Sequence, residues 1–286
     1  MTLTTLDRAH RFRSLHDPRH PLLLSTVWDV ASALVAQDAG APALATTSAG
    51  VAWSRGLPDG DHLGRAEALA VVAAVVGAVQ VPVSADLEGG YAETAAGVSE
   101  TVRGVVQAGA VGINLEDGAR SPEETGRRVA AARVAADDEG VPLFVNARCD
   151  VYLRGLVEPG ACLVETVRRA TRYVDAGADG IFVPGVVDPE TIAALAASLP
   201  VPLNVMVGPG APAPTELSGL GVARASLGSA VAQAAYTAVR RATVDLLDGG
   251  TYDSLTGALG YAEVDGLLHA AAAHREGRTE RPGGGR

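Results

Sequence analysis

The sequence contains no lysine: all 23 of its basic residues are arginine. A Schiff-base aldolase, a pyridoxal-phosphate enzyme and a Walker A phosphate loop each need a lysine amine, so all three are excluded. Cysteine is scarce as well. Cys149 and Cys162 are too few for a disulfide framework, and a reducing, cytoplasmic setting is expected. No run of about 20 apolar residues free of charge, glycine or proline occurs, so no transmembrane span is expected. The opening MTLTTLDRAHRFRSLHD is charged and lacks the apolar region of a secretion signal. Basic charge is in deficit overall. The formal net charge is -10 and the isoelectric point is near 5.1. Such a surface repels polyanions, which makes nucleic acid and anionic membranes poor partners.

What is present points to a repeated α/β architecture. The 286 residues are 48% hydrophobic, enough for one large domain or two small ones. The segments DAGAPALAT (38–46), QAGAVGINL (107–115) and DAGADGIFV (175–183) echo one another. Gly40, Gly109 and Gly177 are spaced by 69 and 68 residues, and each reads as a helix-ending glycine followed by an apolar strand. That period suits two βα units of about 30 residues each. Strands are expected at 21–28, 43–48, 81–88, 112–117, 143–150, 180–185, 202–208 and 223–228. Between most of them lie helical patterns such as RAEALAVVAAVVGAV (65–79). The helix at 121–138 opens with Ser121, Pro122 and Glu124, the signature of a capping box.

Eight strands alternating with helices favour a (β/α)8 TIM barrel over a doubly wound open sheet. Residues 1–20 read as a helix closing the barrel bottom, and 229–275 as extra C-terminal helices. One domain over 1–275 is expected, with 276–286 a disordered tail.

In such a barrel the site lies where strands end. Strand 2 ends in Thr47 and Ser48, then Ala49 and Gly50. Strand 3 ends in Asp86 and Glu88, strand 4 in Glu116 and Asp117, strand 5 in Asn146, Arg148 and Asp150, and strand 7 carries Asn204. Residues two apart on a strand share a face, so Asp86 pairs with Glu88, and Asn146 with Arg148 and Asp150. Three carboxylates within ~6 Å cannot all stay ionised without a cation. Asp86, Glu88 and Glu116 offer oxygen only, the donor set of Mg2+ or Mn2+. Arg148 suits an anionic substrate. Solvated strand-end charges paired with arginines are the plainer alternative.

VWDVASA (27–33), ATTSAGVAWSRGLPDGD (45–61), VSADLEGGY (83–91), GINLED (112–117), VNARCD (145–150) and LNVM (203–206) together resemble the isocitrate lyase/phosphoenolpyruvate mutase superfamily. The resemblance runs through most of residues 10–230. It implies a (β/α)8 barrel whose final helix is swapped between subunits of a homodimer or homotetramer. It implies Mg2+ held by Asp86, with Glu88 and Glu116 acting mostly through water. It implies that Ser48, Ala49 and Gly50 hold the carboxylate and oxo group of a small anionic 2-oxo acid, with Arg148 and Asn204 also on the substrate. Asp59, Arg148 and Glu116 become the catalytic candidates.

The departures bear on subclass. Isocitrate and 2-methylisocitrate lyases carry a Lys-Lys/Arg-Cys-Gly-His loop after strand 4; here the stretch is EDGARSPEETGRR. Mutases and phosphonopyruvate hydrolases carry a Lys- and Asn-bearing loop there, and mutases a His at the end of strand 6, where this chain has Val183-Pro184-Gly185. A Mg2+-dependent C–C lyase acting on a 2-oxo or 2-hydroxy acid, oxaloacetate decarboxylase-like or methylisocitrate lyase-like, survives these losses. C–P chemistry is the enzymatic alternative, and a catalytically silent binding barrel the other. Cys149 and Cys162 read as packing, and His62 as a surface loop residue. SLGSA (226–230) is a weak phosphate signal, and Trp53 and Arg55 are lid candidates.

Overall fold

All eight expected strands form, in the expected places, and close on themselves. The computed structural model describes residues 3–279. The order is α1 (Thr5–Ser14), β1 (Leu22–Val27), α2 (Val30–Asp38), β2 (Leu44–Thr46), α3 (Ser48–Ser54), α4 (Arg65–Ala78), β3 (Val83–Asp86), α5 (Ala95–Gln107), β4 (Gly112–Glu116) and α6 (Pro122–Asp138). The second half continues with β5 (Phe144–Arg148), α7 (Val151–Arg154), α8 (Cys162–Asp175), β6 (Gly180–Val183), α9 (Pro189–Ser198), β7 (Leu203–Met206), α10 (Pro214–Gly219), β8 (Val222–Ser226), α11 (Ala230–Val244) and α12 (Tyr261–Thr279). Every strand is parallel to its neighbours and β8 returns to β1. The open-sheet alternative is thereby removed. Gly40, Gly109 and Gly177 all have φ near +90° to +100° (93°, 88° and 103°), the left-handed helix ending their repeat suggested. At Ser121 only half of the capping box is made. The Ser121 hydroxyl accepts the Glu124 amide, but the Glu124 carboxylate is drawn away by Arg127 and Arg128.

Alternation divides each strand between two environments. Outward residues such as Ile113, Leu115, Val145, Ala147, Ile181 and Val205 join the large cluster between strands and helices. Inward residues are unusually small or polar, so something else must fill the axis. At the bottom that is Phe12 from α1. It is fully buried, and packs with Leu22, Leu24, Ala43, Ala45 and Phe144 in a second cluster. Gly112 is what admits it, since a Cβ there would lie 2.6 Å from the Phe12 ring. His16 stacks on Phe144 with ring centroids 3.9 Å apart. Its Nδ1–H donates to the Phe12 carbonyl at 2.9 Å. The leading helix therefore closes the barrel bottom as expected.

The C-terminal part behaves differently. α12 packs on α2 and α4, with Ala271 buried. α11 buries Ala232 and leaves Tyr236, Val239 and Val244 exposed. Leu246, Leu247, Tyr252 and Leu255 continue that exposed apolar stretch. The expected tail at 276–286 overlaps the end of α12, which runs to Thr279; residues 280–286 lie outside the described residues. Among the described residues no helix is long and apolar enough to cross a membrane.

Two predictions follow from the plug. Phe12→Ala leaves a cavity that Gly112 cannot fill, and is expected to cost about 3–5 kcal/mol in denaturant unfolding. His16 gives a pH signature. Burial, with Arg224 and Arg13 nearby, holds its pKa down to about 3 against an ordinary 6.5. The unfolded chain therefore takes up that proton first. Stability is fully present above about pH 6.5 and is lost as pH falls below it. Between pH 7.5 and pH 5 the wild type should lose about 2 kcal/mol more than His16→Phe, which keeps a ring but cannot titrate. Equal losses would show that His16 is not buried neutral.

Candidate active site

The mouth of the barrel is built where β2 and β3 end side by side. α3 begins at Ser48, directly after β2, so its first amide points across to the neighbouring strand. That amide donates to Asp86 Oδ2 at 3.1 Å. The Ser48 hydroxyl donates to Asp59 Oδ1 at 3.3 Å. The Asp86 amide in turn donates to Thr46 Oγ1 at 2.8 Å. Two strand ends and the following loop are thus tied together through one serine and one aspartate. Burial raises the Asp86 pKa; Arg148 and the Ser48 hydrogen bonds oppose the rise, and Asp59 adds to it. Gly50 serves packing. A Cβ there would sit 2.8 Å from Thr47 Cγ2 and 3.0 Å from Trp28 Cβ.

Arg148, at the end of β5, is held on two sides. Its Nε and Nη2 donate to the two Asp150 oxygens at 2.6 and 3.1 Å. Its Nη1 lies 2.7 Å from Glu116 Oε2. A guanidinium has five N–H bonds, so two remain for a ligand. The Nε/Nη2 fork grips Asp150, and Arg148 presents its remaining edge to a ligand. Burial is the largest influence on Glu116 and pushes it up to about 8, with Arg148 opposing. Behind this pair, Asp117 is fully buried and accepts three donors: the Asp150 amide (2.8 Å), Arg169 Nη1 (2.9 Å) and Tyr173 Oη (2.8 Å). It faces the helix layer because it is one residue out of phase with Glu116.

Glu88 does not share the strand geometry expected for it. β3 ends at Asp86, and Glu88 sits in a left-handed turn with φ 49°. Its carboxylate accepts the Asp61 amide and the Tyr91 hydroxyl (3.3 Å). Burial pushes it up to about 7. The short loop after β4 reaches the same place. Arg120 Nη2 donates to Asp61 Oδ2 at 2.9 Å and lies over Gly89. Arg128 fastens the turn from beneath by donating to the carbonyls of Gly89, Ala92 and Glu93.

These elements enclose a cavity of about 190 Å³ at the C-terminal end of the barrel. Of the residues read from sequence, Ser48, Ala49, Asp59, Asp86 and Arg148 line it. Gly50, Glu88, Glu116 and Asn204 do not. Asn204 lies deeper, buried on β7, where its Oδ1 accepts the Ser226 hydroxyl at 3.3 Å. Gly228 and Ser229 of SLGSA reach the wall. His62 is exposed and does not line the cavity. Trp53 packs edge-on against Tyr236 (ring centroids 6.2 Å apart), and Cys149 and Cys162 are buried and unpaired. Thr26, Asn114, Phe182 and Arg224 also line the cavity and were not among the sequence candidates. Arg224 had a signal. It is a cation two residues before Ser226 on an otherwise apolar strand, and alternation puts both on the axis.

The donor set bears on a metal. Among the described residues no three His, Cys, Asp or Glu side chains are grouped closely enough to hold an ion by themselves. Glu116 is taken by Arg148, and Glu88 by the Asp61 loop. Asp86 remains at the cavity with Asp59 nearby. Mg2+ commonly keeps several waters and takes only one or two carboxylates. These residues therefore fit a water-rich hard cation held chiefly by Asp86, and do not fit one that requires three direct protein ligands.

Comparison with known proteins places this geometry. A family model described as phosphoenolpyruvate phosphomutase matches residues 12–247. An uncharacterised protein of Mycobacterium tuberculosis is 37% identical over 257 residues, spanning 90% of this chain and 95% of that one. Oxaloacetate decarboxylase of Rhodopseudomonas palustris is 29% identical, over 88% and 89% of the two chains. Among solved structures, a candidate phosphonomutase from Burkholderia cenocepacia is 42% identical with a TM-score of 0.80, covering 84% of this chain and 98% of that one. A phosphonopyruvate hydrolase in complex with oxalate and Mg2+ is 25% identical with a TM-score of 0.79, over 96% and 98%. With the barrel, the mouth acids and these matches in agreement, the chain belongs to the phosphoenolpyruvate phosphomutase family.

Proposed function

We propose that this protein is a Mg2+-dependent lyase that cleaves a C–C bond of a small 2-oxo or 2-hydroxy acid, in the manner of an oxaloacetate decarboxylase or a methylisocitrate lyase. One observation carries the reading. Asp86 lies at the cavity among Asp59, Glu88 and Glu116, while Arg148, the guanidinium at the mouth, is already shared between Glu116 and Asp150. Asp86 and Asp59 are left at the cavity with no ion pair among the described residues, in a buried setting where unpaired carboxylates are costly. A bound Mg2+ would offset that and supply the positive charge that a developing oxyanion needs.

Each residue then has a task. Asp86 holds the cation, with Asp59 beside it and Glu88 and Glu116 reaching it through water. The Ala49 amide, at the start of α3, presents a donor to a carboxylate or oxo group, while the Ser48 amide holds Asp86. Arg148 offers its two remaining N–H bonds to the same anion, and Glu116 and Asp150 keep its plane fixed. Arg120 and Asp61 close the rim and limit water. Phe182, Leu153 and Met206 supply the apolar wall that keeps the site's dielectric low. C–P chemistry is the less favoured reading: among the described residues no imidazole lines the cavity, and Pro184 forms its wall at the end of β6. Buried, unpaired cysteines favour a cytoplasmic setting. The exposed apolar face of α11 favours a homodimer or homotetramer.

The deciding experiment is Mg2+-dependent release of pyruvate or glyoxylate from oxaloacetate, isocitrate, 2-methylisocitrate, 2,3-dimethylmalate and phosphonopyruvate. At least one C–C substrate should turn over, with EDTA abolishing activity. Asp86→Ala should lower kcat/KM by about 10³ or more and weaken Mg2+ binding measured by calorimetry. Turnover of phosphonopyruvate alone would move the protein to C–P chemistry. No turnover together with no affinity for millimolar Mg2+ would establish a silent barrel. For the assembly, sedimentation should give a dimer or tetramer, and the double variant Val239→Asp/Leu247→Asp should shift it toward monomer. A wild type that stays monomeric at all concentrations rules the assembly out.

A further inference from the structure

The barrel axis holds a cation that forms no ion pair among the described residues. Arg224, at the centre of β8, is 0% exposed. Its Nη2 donates to Asn114 Oδ1 at 3.3 Å, and its Nε and Nη1 have no hydrogen-bond partner. Among the described residues no carboxylate forms an ion pair with it. Beneath it lies the Phe12 ring, 5.9 Å from the guanidinium carbon. Above it is the cavity, whose lining includes Arg224 itself, Thr26, Asn114 and Ser226.

Its neighbours are short of partners in the same sense. Asn204 faces Arg224 in the strand register, is 1% exposed, and has an unpartnered Nδ2. Thr26 is buried with an unpartnered hydroxyl. Ser226 donates to Asn204 Oδ1 and so turns that amide's nitrogen outward from the pair. Unused donors from three strands, β1, β7 and β8, therefore meet around one buried positive charge. Burying a guanidinium without an anion costs several kcal/mol, and each orphaned donor adds to that. Cation–π contact with Phe12 recovers only a small part. Asp86 alone exerts a compensating attraction, through space, and burial pulls the Arg224 pKa down despite it. The same chain surrounds Arg148 with two carboxylates, so the lack of one at Arg224 is a local feature.

We propose that Arg224, with Thr26 beside it on the cavity wall, seats a second carboxylate of the ligand. The first carboxylate lies at the mouth, by Ser48 and Arg148, and the second reaches the axis at the cavity floor. Nε and Nη1, on opposite sides of the guanidinium, both keep free N–H bonds with which a carboxylate oxygen can pair. The inference deepens the proposed function and depends on it for the seat of the first carboxylate.

The test reads binding rather than turnover, so the two ideas fail separately. Full-length protein is heated with succinate or with propionate, which lacks the second carboxylate. Succinate should raise the melting midpoint in a concentration-dependent way and propionate should not, at equal ionic strength. Arg224→Met should fold, since it removes an uncompensated charge, and should lose the succinate shift entirely. Arg224→Lys should keep part of it. Calorimetry should show at least a tenfold preference for 2-oxoglutarate over 2-oxopentanoate in the wild type and about threefold or less in Arg224→Met. The proposal is overturned if succinate and propionate act alike, or if Arg224→Met retains the succinate shift. If succinate still stabilises the protein while the whole substrate panel is inert, the lyase reading falls and the anion seat stands.

Discussion

A closed parallel barrel must fill its own axis, and everything at the active end of this protein depends on how that is done. Inward positions alternate with outward ones on all eight strands, so whatever lies on the axis is fixed once the strands register. Here the inward side chains at the bottom include Gly112, Gly180, Ala43 and Ala45, which are too small to meet. Phe12 enters from outside the barrel, Phe144 and His16 pack against it, and the lower end is sealed and dry. Above that seal the axis turns polar, with Ser84, Asn114, Asn146, Asn204 and Arg224 buried together. Above those stand the acids. The molecule thus grades from hydrocarbon to amide to carboxylate along one axis, and the cavity opens at the charged end.

The charge balance of that end explains its chemistry better than any single residue does. Arg148 and Arg154 organise Glu116 and Asp150, and neither forms an ion pair with Asp86 or Asp59. Asp117 carries negative charge too, but its three donors and its place behind the strand make it a structural anchor. Asp86 faces the cavity beside Asp59, with the Ser48 amide donating to its Oδ2. A site with acids outside any ion pair at its mouth, and with unused positive charge at its floor, is suited to a cation and an elongated anion bound together.

The rim shows how a shortened loop is accommodated. The stretch after β4 holds none of the lysine, cysteine or histidine that the larger relatives' loops were expected to bring. Instead Arg120 reaches to Asp61 on the β2 side, and Glu88 takes the Asp61 amide from the β3 side. Three strand-end loops therefore converge on one aspartate. Left-handed backbone at both Asp61 and Glu88 makes those reversals tight enough to bring the loops together.

Much of this was legible in the order of residues. The eight strands, the repeat glycines and the sealing helix follow from local signals, because apolar periodicity and glycine ends act over a few residues. Ser48, Ala49, Asp86 and Arg148 were read from strand ends, which converge in a barrel whatever the helices do, and Asp59 from the family resemblance alone; all five line the cavity. Glu88 was misplaced for a local reason: strand alternation stops where the strand stops, and β3 ends two residues before Glu88. Asn204 was placed too near the mouth because depth along the axis depends on register between strands far apart in sequence. Arg148's engagement with Asp150 and Glu116, and the solitude of Arg224, could not be read from the chain. Whether a buried charge has a partner is decided by which side chains from other strands reach it. Sequence by itself therefore determined the barrel and the chemistry of its rim. Only the tertiary structure decided which of those charges are already satisfied and which are left for a ligand.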